Sequence, residues 1–540
     1  MTEKRKTMLG GFTALGAAGL ICKVIGMVFR VSLSAQIGSQ GIGLYQAVYP
    51  TYNLLLTLSS AGLPVAISRM VAEAETRGDE QGASRVLGTA LKMLGGIGLP
   101  LALLMALGSR FLAESIGAAD ARIGFLMIAP SVLIVSIMSA YRGYMQGHCS
   151  MAPTAVSQLI EQLGKVIISF PLSILGLRVS VVHAAAGALL GITISEALAL
   201  LYMLITVNRN RVKYVGKATA EPRGEAMETR SPLWVRMLRI AVPITLGAAI
   251  VPLVGTIDSA MILNRLQSAG FTSEQARSLY GLQSGSVLSL LNVPTALAIA
   301  VAMSLVPTIS AARSRGDKRE VREQTTLSLR LSILIGLPCA LGMSLLSTPI
   351  VALLYPRYPL EEIRTAGRLL SIGAFTIPLF ILVQATTGVL QGMGAQKIPM
   401  YTLLVGAAVK AALNYFLIGT PRINIYGAPI ASLACYTISA GINLAYTFKR
   451  TEVRVEWGSM LIRPALATLV MSIAVALSIR FIGSDSSVKT LLLVVLGVGA
   501  YIVAAPLTGA VRRADLAQFP ALDRIAGKAR LQRAAKARDD

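Results

Sequence analysis

Lys23 and Arg30 lie in one long apolar run and stand seven residues apart, two helical turns, so a helix sets both cations on one face. Charge at bilayer depth is costly and is usually kept only where it faces a water-filled cavity or a partner. The two make a basic stripe suited to line a cavity; snorkelling to the surface is the alternative, but Lys23 lies too deep in its run to reach either face easily. Glu161 and Lys165 stand at i and i+4, the favourable order for an intrahelical ion pair, which a purely structural role would also explain. Glu196, Asp258 and Lys410 are further ionisable residues in apolar runs. Glu196 has no neighbour of opposite charge in the sequence, while Asp258 has Arg265 seven residues on as an alternative partner. Either carboxylate is suited to carry a proton or a sodium ion.

Other chemistries find little support. No GxxxxGK[ST] phosphate loop occurs, so energy must come from the membrane potential or from an ion gradient, Na+ or H+. The only histidines, His148 and His183, fall at the ends of apolar runs without acidic or cysteine neighbours at ligand spacing, which argues against a metal centre and against a Ser-His-Asp site. Cys22, Cys149, Cys339 and Cys435 show no CxxC spacing and read as small packing residues. The sequence therefore points to no resident cofactor and no enzyme.

The elements that position these charges follow from composition. With 54% hydrophobic and 14% charged residues and a mean hydropathy of +0.66, the chain has more apolar surface than a soluble core can use. A hydrocarbon core of about 30 Å needs about 20 apolar residues per helix. By that measure the expected fold is all-α and polytopic, with 14 transmembrane helices between residues 9 and 511. The first run, 9–36, follows a basic amino terminus but ends without a clean small-residue cleavage pattern, so it reads as a span.

The spans come in two copies. Residues 77–105 (RGDEQGASRVLGTALKMLGGIGLPLALLM) and 315–343 (RGDKREVREQTTLSLRLSILIGLPCALGM) agree without a gap at a constant offset of 238, with Arg-Gly-Asp and Ile-Gly-Leu-Pro identical and Lys92 matched to Arg330. Arg142-Gly143-Tyr144-Met145-Gln146-Gly147 resembles Thr387-Gly388-Val389-Leu390-Gln391-Gly392 at nearly the same offset. An internal duplication explains both better than chance does. The expected organisation is an amino-terminal lobe (1–235), a carboxy-terminal lobe (236–450), two extra helices (451–511) and a basic tail (512–540). Parallel repeats of this kind are a common plan for transporters that rock about a central site.

The formal charge of +24 might indicate nucleic acid, but its distribution argues otherwise. Basic residues cluster at the amino terminus, over Arg209–Arg239 and Arg313–Arg330 and in the tail, after even-numbered spans. This positive-inside bias places both termini in the cytoplasm of a cell membrane. The tail is expected to contact anionic lipids rather than nucleic acid.

Three stretches carry a family resemblance: Cys22-Lys-Val-Ile-Gly-Met-Val-Phe-Arg30; Leu44-Tyr-Gln-Ala-Val-Tyr-Pro-Thr-Tyr-Asn-Leu54 with Gly62-Leu63-Pro64; and Arg142-Gly-Tyr-Met-Gln-Gly147 with Ser157-Gln158-Leu-Ile-Glu161-Gln162. They resemble the polysaccharide-export branch of the multidrug/oligosaccharidyl-lipid/polysaccharide (MOP) transporters, and within it the stage V sporulation protein B and Gram-positive MurJ-type lipid II flippases. The resemblance implies two six-helix lobes around a V-shaped cavity, two extra helices that form a lipid-tail groove, and a monomeric flippase for a polyprenyl-pyrophosphate-linked saccharide. Its cationic cavity maps onto Lys23 and Arg30. A second-span arginine of Gram-negative members has no counterpart in Asn53-Leu54-Leu55-Leu56. The candidate substrate-binding set is thus Lys23, Arg30, Arg142, Lys165 and Lys410, and the candidates for ion coupling are Glu161, Glu196 and Asp258. The alternative is an ion-coupled drug or cation antiporter of the same superfamily, which would centre its cavity on carboxylates.

One test comes from the charge pattern alone. Cysteines introduced at Glu80 and Lys318 should react with an impermeant thiol reagent only from the cytoplasmic side, and labelling from outside would contradict the assigned topology.

Overall fold

The computed structural model describes residues 3–215, 232–453, 456–483 and 486–511. The tail 512–540 and the middle of the basic Arg209–Arg239 stretch, residues 216–231, lie outside the described residues, and with them the lipid contacts expected of the tail. Every described element of regular structure is a helix. Twelve helical stretches among the described residues are long and apolar enough to cross a membrane, so the protein is a multi-pass membrane protein. By this measure the count is not the expected fourteen. Ile21–Thr76 enters as one stretch of 56 residues, and the helix Leu288–Ser314 is not among the twelve.

The expected gap between the first two spans shrinks to one residue. The helix Glu3–Ser60 is continuous except at Gly38, whose φ of 75° and ψ of 177° only glycine adopts without strain. The expected second span, 42–74, is instead interrupted. It stops at Ser60 and resumes at Leu63, with Pro64 in the first turn of the new helix Leu63–Thr76, where its missing N–H costs nothing.

The chain divides into two units, residues 1–289 with 414–425, and residues 290–413 with 426–540. These spatial units do not coincide with the duplicated halves. The helix Leu233–Ser268 groups with the first unit, where its Met237 and Ala241 join a core with Leu63, Ile67, Met70 and Leu94. In the second unit, the helices Arg463–Ile482 and Ser487–Leu507 pack on Lys318–Leu345. Tyr501 there donates to the Leu334 carbonyl at 2.6 Å, and Arg330 donates to the Ala510 carbonyl at 2.6 Å. Lys92, the counterpart of Arg330, is exposed, so the two added helices account for the different fates of matched residues.

The repeated Arg-Gly-Asp is a helix-starting device. Gly78 and Gly316 take φ of 71° and 74°, and the Asp79 and Asp317 side chains cap the next helix by accepting from Gly82 N at 2.6 Å and Glu320 N at 2.9 Å. Turn hydrogen bonds repeat at the same offset: Gly78 N to Glu75 O and Asp79 N to Ala74 O recur as Gly316 N to Arg313 O and Asp317 N to Ala312 O. A second trace of the duplication lies within the first unit. Gln46 donates from Nε2 to the carbonyl of Ser284, its own counterpart 238 residues on, at 2.7 Å. Gly43 and its counterpart Gly281 meet backbone to backbone, and a Cβ at Gly281 would lie 2.8 Å from Gly43 N. Two pairs of residues at the repeat offset of 238 thus touch each other within the first unit.

Removing either cap should therefore have the same effect. Asp79→Ala and Asp317→Ala are each expected to lower stability by about 1 kcal/mol, while the Asn variants retain most of it. Thermal unfolding in detergent measures this, and a loss at one site only would contradict the equivalence of the two turns.

Candidate substrate and ion site

The helix Ala152–Gly164 carries Glu161, and a π-helical segment, Lys165–Ser169, continues it to Pro171. Proline lacks the N–H that would close an α turn onto residue 167, so a widened turn just before it relieves the conflict. This is where Lys165 sits, 8% exposed. Its Nζ donates to Glu161 Oε1 at 3.0 Å, which is the expected i,i+4 pair. The other carboxylate oxygen, Oε2, accepts from Arg142 Nη2 at 3.3 Å, and Arg142 Nε donates to Ser157 Oγ at 2.9 Å. Glu161 thus holds two of the expected substrate-binding cations at once. Sequence spacing could not show this, because Arg142 lies on the preceding helix, Arg122–Gly147.

Glu196, on the helix Val181–Val215, is 2% exposed. Its Oε1 accepts from the Tyr52 hydroxyl at 2.9 Å, and that hydroxyl lies 3.1 Å from Ser131 Oγ. Its Oε2 is buried without a hydrogen-bond partner among the described residues. Tyr45, Tyr49 and Tyr52 were not among the expected site residues. Their spacing of four and three puts them on one helix face, and the rings of Tyr45 and Tyr49 stack with centroids 5.4 Å apart, with Tyr52 tilted 5.8 Å beyond. Arg30 lies over the Tyr49 ring, its Cζ 5.3 Å from the centroid.

Lys23 is exposed and Arg30 half-buried, and among the described residues neither forms an ion pair. Gly26, which shares their face at i+3 from Lys23, faces Gln162: a Cβ there would lie 3.4 Å from Gln162 Oε1. The basic stripe is therefore set against the helix that carries Glu161. Four cations, Lys23, Arg30, Arg142 and Lys165, share this region of the first unit with two carboxylates, Glu161 and Glu196. Two of the four, Arg142 and Lys165, are committed to Glu161.

Two candidates remain, Asp258 and Lys410. Asp258, on the helix Leu233–Ser268, accepts from Asn414 Nδ2 at 3.1 Å. Arg265, the alternative partner, makes other contacts. The Arg265 guanidinium stacks on Tyr415 at 4.1 Å and donates to its carbonyl at 3.0 Å, an aromatic partner being available where the carboxylate is seven residues away on the same helix. Lys410 is half-buried on the helix Lys397–Ile418, one turn before Asn414, and belongs to the second unit.

Comparison with known proteins bears on what such a region serves. The model of the polysaccharide biosynthesis protein family matches residues 8–313, more than half of the chain. The chain belongs to this family. The MatE model matches residues 284–416, and the chain is a member of the MOP superfamily, as its sequence motifs suggest. The stage V sporulation protein B of Bacillus subtilis is 29% identical over 432 residues, covering 79% of this chain and 81% of the relative. The lipid II flippase MurJ of the same organism is 25% identical over 492 residues, covering 88% of each. A solved structure of a lipid II flippase MurJ in an inward closed conformation shares the fold, with a TM-score of 0.66 at 14% identity, covering 91% of this chain and 98% of that one.

The paired cluster makes a specific demand on stability. Glu161→Gln leaves Arg142 and Lys165 without their buried counter-charge and is expected to cost about 3–5 kcal/mol. Adding Lys165→Met should restore part of it, because one stranded charge is then gone. Thermal unfolding with membrane abundance measures both, and a single variant as stable as the parent protein would contradict the pairing.

Proposed function

We propose that the protein is a non-enzymatic flippase that moves a polyprenyl-pyrophosphate-linked saccharide, of the lipid II class, from the inner to the outer leaflet of the cell membrane. The single observation that carries this reading is the stripe of Lys23 and Arg30, cations that form no ion pair among the described residues and stand beside Arg142 and Lys165, which are both held by Glu161. The sequence relation to the lipid II flippase MurJ of B. subtilis supports it. A pyrophosphate offers anionic oxygens to Lys23 and Arg30 in a region of low dielectric, where the attraction exceeds its value in water. The polyprenyl tail stays in the bilayer, and the apolar outer faces of Arg463–Ile482 and Ser487–Leu507, among them Ile473, Leu477, Val495 and Ile502, are suited to hold it.

Both termini face the cytoplasm in this reading, as the positive-inside pattern directs. The protein works as a monomer of two duplicated lobes, and its basic tail contacts anionic lipids. Alternating access requires the crossing at Gly43 and Gly281, with its Gln46 to Ser284 bond, to part when the site opens on that side. An interior-negative potential drives an anion outward. Among the three carboxylates, Glu196 is best placed to couple an ion, since its Oε2 is unmatched whereas Glu161 is held by two cations and Asp258 by Asn414.

Lys23→Ala and Arg30→Ala should each abolish flipping while membrane abundance stays near that of the parent protein. Each removes a charge-assisted hydrogen bond worth about 1.5–3 kcal/mol. Tyr49→Ala should weaken function through Arg30, while Tyr49→Phe, which keeps the ring, should not. Complementation of a flippase-depleted strain reads these outcomes, and full growth on both cation variants would refute the reading.

A further inference from the structure

A second basic site lies in the first unit, away from the stripe and made of residues the transport reading does not use. Arg69 and Glu73 on the helix Leu63–Thr76, with Arg236, Arg239 and Ile240 on the helix Leu233–Ser268, line an open pocket of about 270 Å³, with Arg69 and Arg239 exposed. Glu73 accepts from Arg69 Nε at 3.1 Å through one oxygen and from Arg236 Nη2 at 3.2 Å through the other. Arg239 stands one turn beyond Arg236 and forms no ion pair among the described residues. Three guanidinium groups around one carboxylate leave two positive charges in one small cavity.

The walls are built to hold their shape. Ile67 and Met70 of one helix and Met237 and Ala241 of the other are buried in a shared core, so the arginines project from a packed seam rather than from loops. The cavity also lies at a defined depth. Glu73 is four residues before Arg77 of the helix-starting turn, which the charge pattern assigns to the cytoplasmic side.

We propose that this cavity is a docking site for a diphosphate group at the cytoplasmic leaflet, the first contact of a lipid-linked diphosphate before it reaches Lys23 and Arg30. The charge balance matches a dianion. Guanidinium groups recognise phosphate oxygens bidentately, and a dianion would take over the two that Glu73 holds, Arg69 and Arg236, along with Arg239. The identity of the lipid rests on the flippase reading, but the diphosphate chemistry of the cavity does not.

The test uses the full-length protein in nanodiscs of zwitterionic lipid, in a Lys23→Ala/Arg30→Ala background so that the stripe does not contribute. Inorganic diphosphate should bind, and Arg236→Gln with Arg239→Gln should weaken that binding by at least about tenfold to a hundredfold, as loss of charge-assisted hydrogen bonds implies. Glu73→Gln should tighten it several-fold, because a competing carboxylate is gone. A purely structural role for the cluster predicts no gain there. Undiminished binding in the arginine variant, or no gain in Glu73→Gln should the arginine variant misfold, overturns the site. A polyprenyl diphosphate lipid should bind with the same dependence on the arginines; if it does not while inorganic diphosphate does, the pocket is an anion site but not the docking site of the lipid, whereas loss of flipping on the Lys23 and Arg30 variants alone bears on the flippase reading. If phosphatidylglycerol displaces diphosphate at equal concentration, the occupant is bulk anionic lipid and the diphosphate assignment is wrong.

Discussion

A carboxylate buried in a membrane protein must be matched by positive charge or by hydrogen bonds, because several kcal/mol are lost for each ion that is not. Glu161 meets that constraint by holding Arg142 with one oxygen and Lys165 with the other. Much of the first unit's site organisation follows from it. The pairing ties the helix Arg122–Gly147 to the next one across the turn at residues 148–151, and it removes two cations from competition for a ligand. What remains for the proposed anionic substrate is the pair on the first helix.

The aromatic face beside this cluster gives the other half of the arrangement. Tyr49 lies under Arg30, and Tyr52 bonds to Glu196, so one helical stretch links the ligand-facing cation to the least satisfied carboxylate in the region. The three rings of Tyr45, Tyr49 and Tyr52 lie on one helix face, with Tyr49 and Tyr52 between the two groups. This offers a physical route by which substrate and ion binding could be coupled without any loop movement.

Several of these features are legible in the sequence, and the reasons for the rest are physical. The duplicated Arg-Gly-Asp stands out because a turn with a left-handed glycine and a capping aspartate depends only on local residues, and both copies form it alike. The Glu161–Lys165 pair is legible for the same reason, being one turn of one helix. Arg142 to Glu161 and Tyr52 to Glu196 are not, since they join residues 19 and 144 positions apart and no periodicity encodes which helix packs on which. The hydropathy reading ends the first span at residue 36, beside the break at Gly38, but misses the stop at Ser60. A break of one residue at Gly38 leaves the apolar run almost intact, and the stop at Ser60 depends on the geometry around Pro64 rather than on polarity. The grouping of Leu233–Ser268 with the first unit is likewise a matter of packing at Met237 and Ala241, to which the repeat offset is blind.

The central claim is that Lys23 and Arg30 hold an anionic head during translocation. Reconstituted proteoliposomes test it most directly, by comparing the flipping rate of a diphosphate-linked polyprenyl lipid with the uptake of a lipophilic cation under an imposed membrane potential. The account predicts that the lipid moves, faster from the negative side, and that the cation does not. Transport of the cation with no movement of the lipid would contradict it and would favour the antiporter alternative.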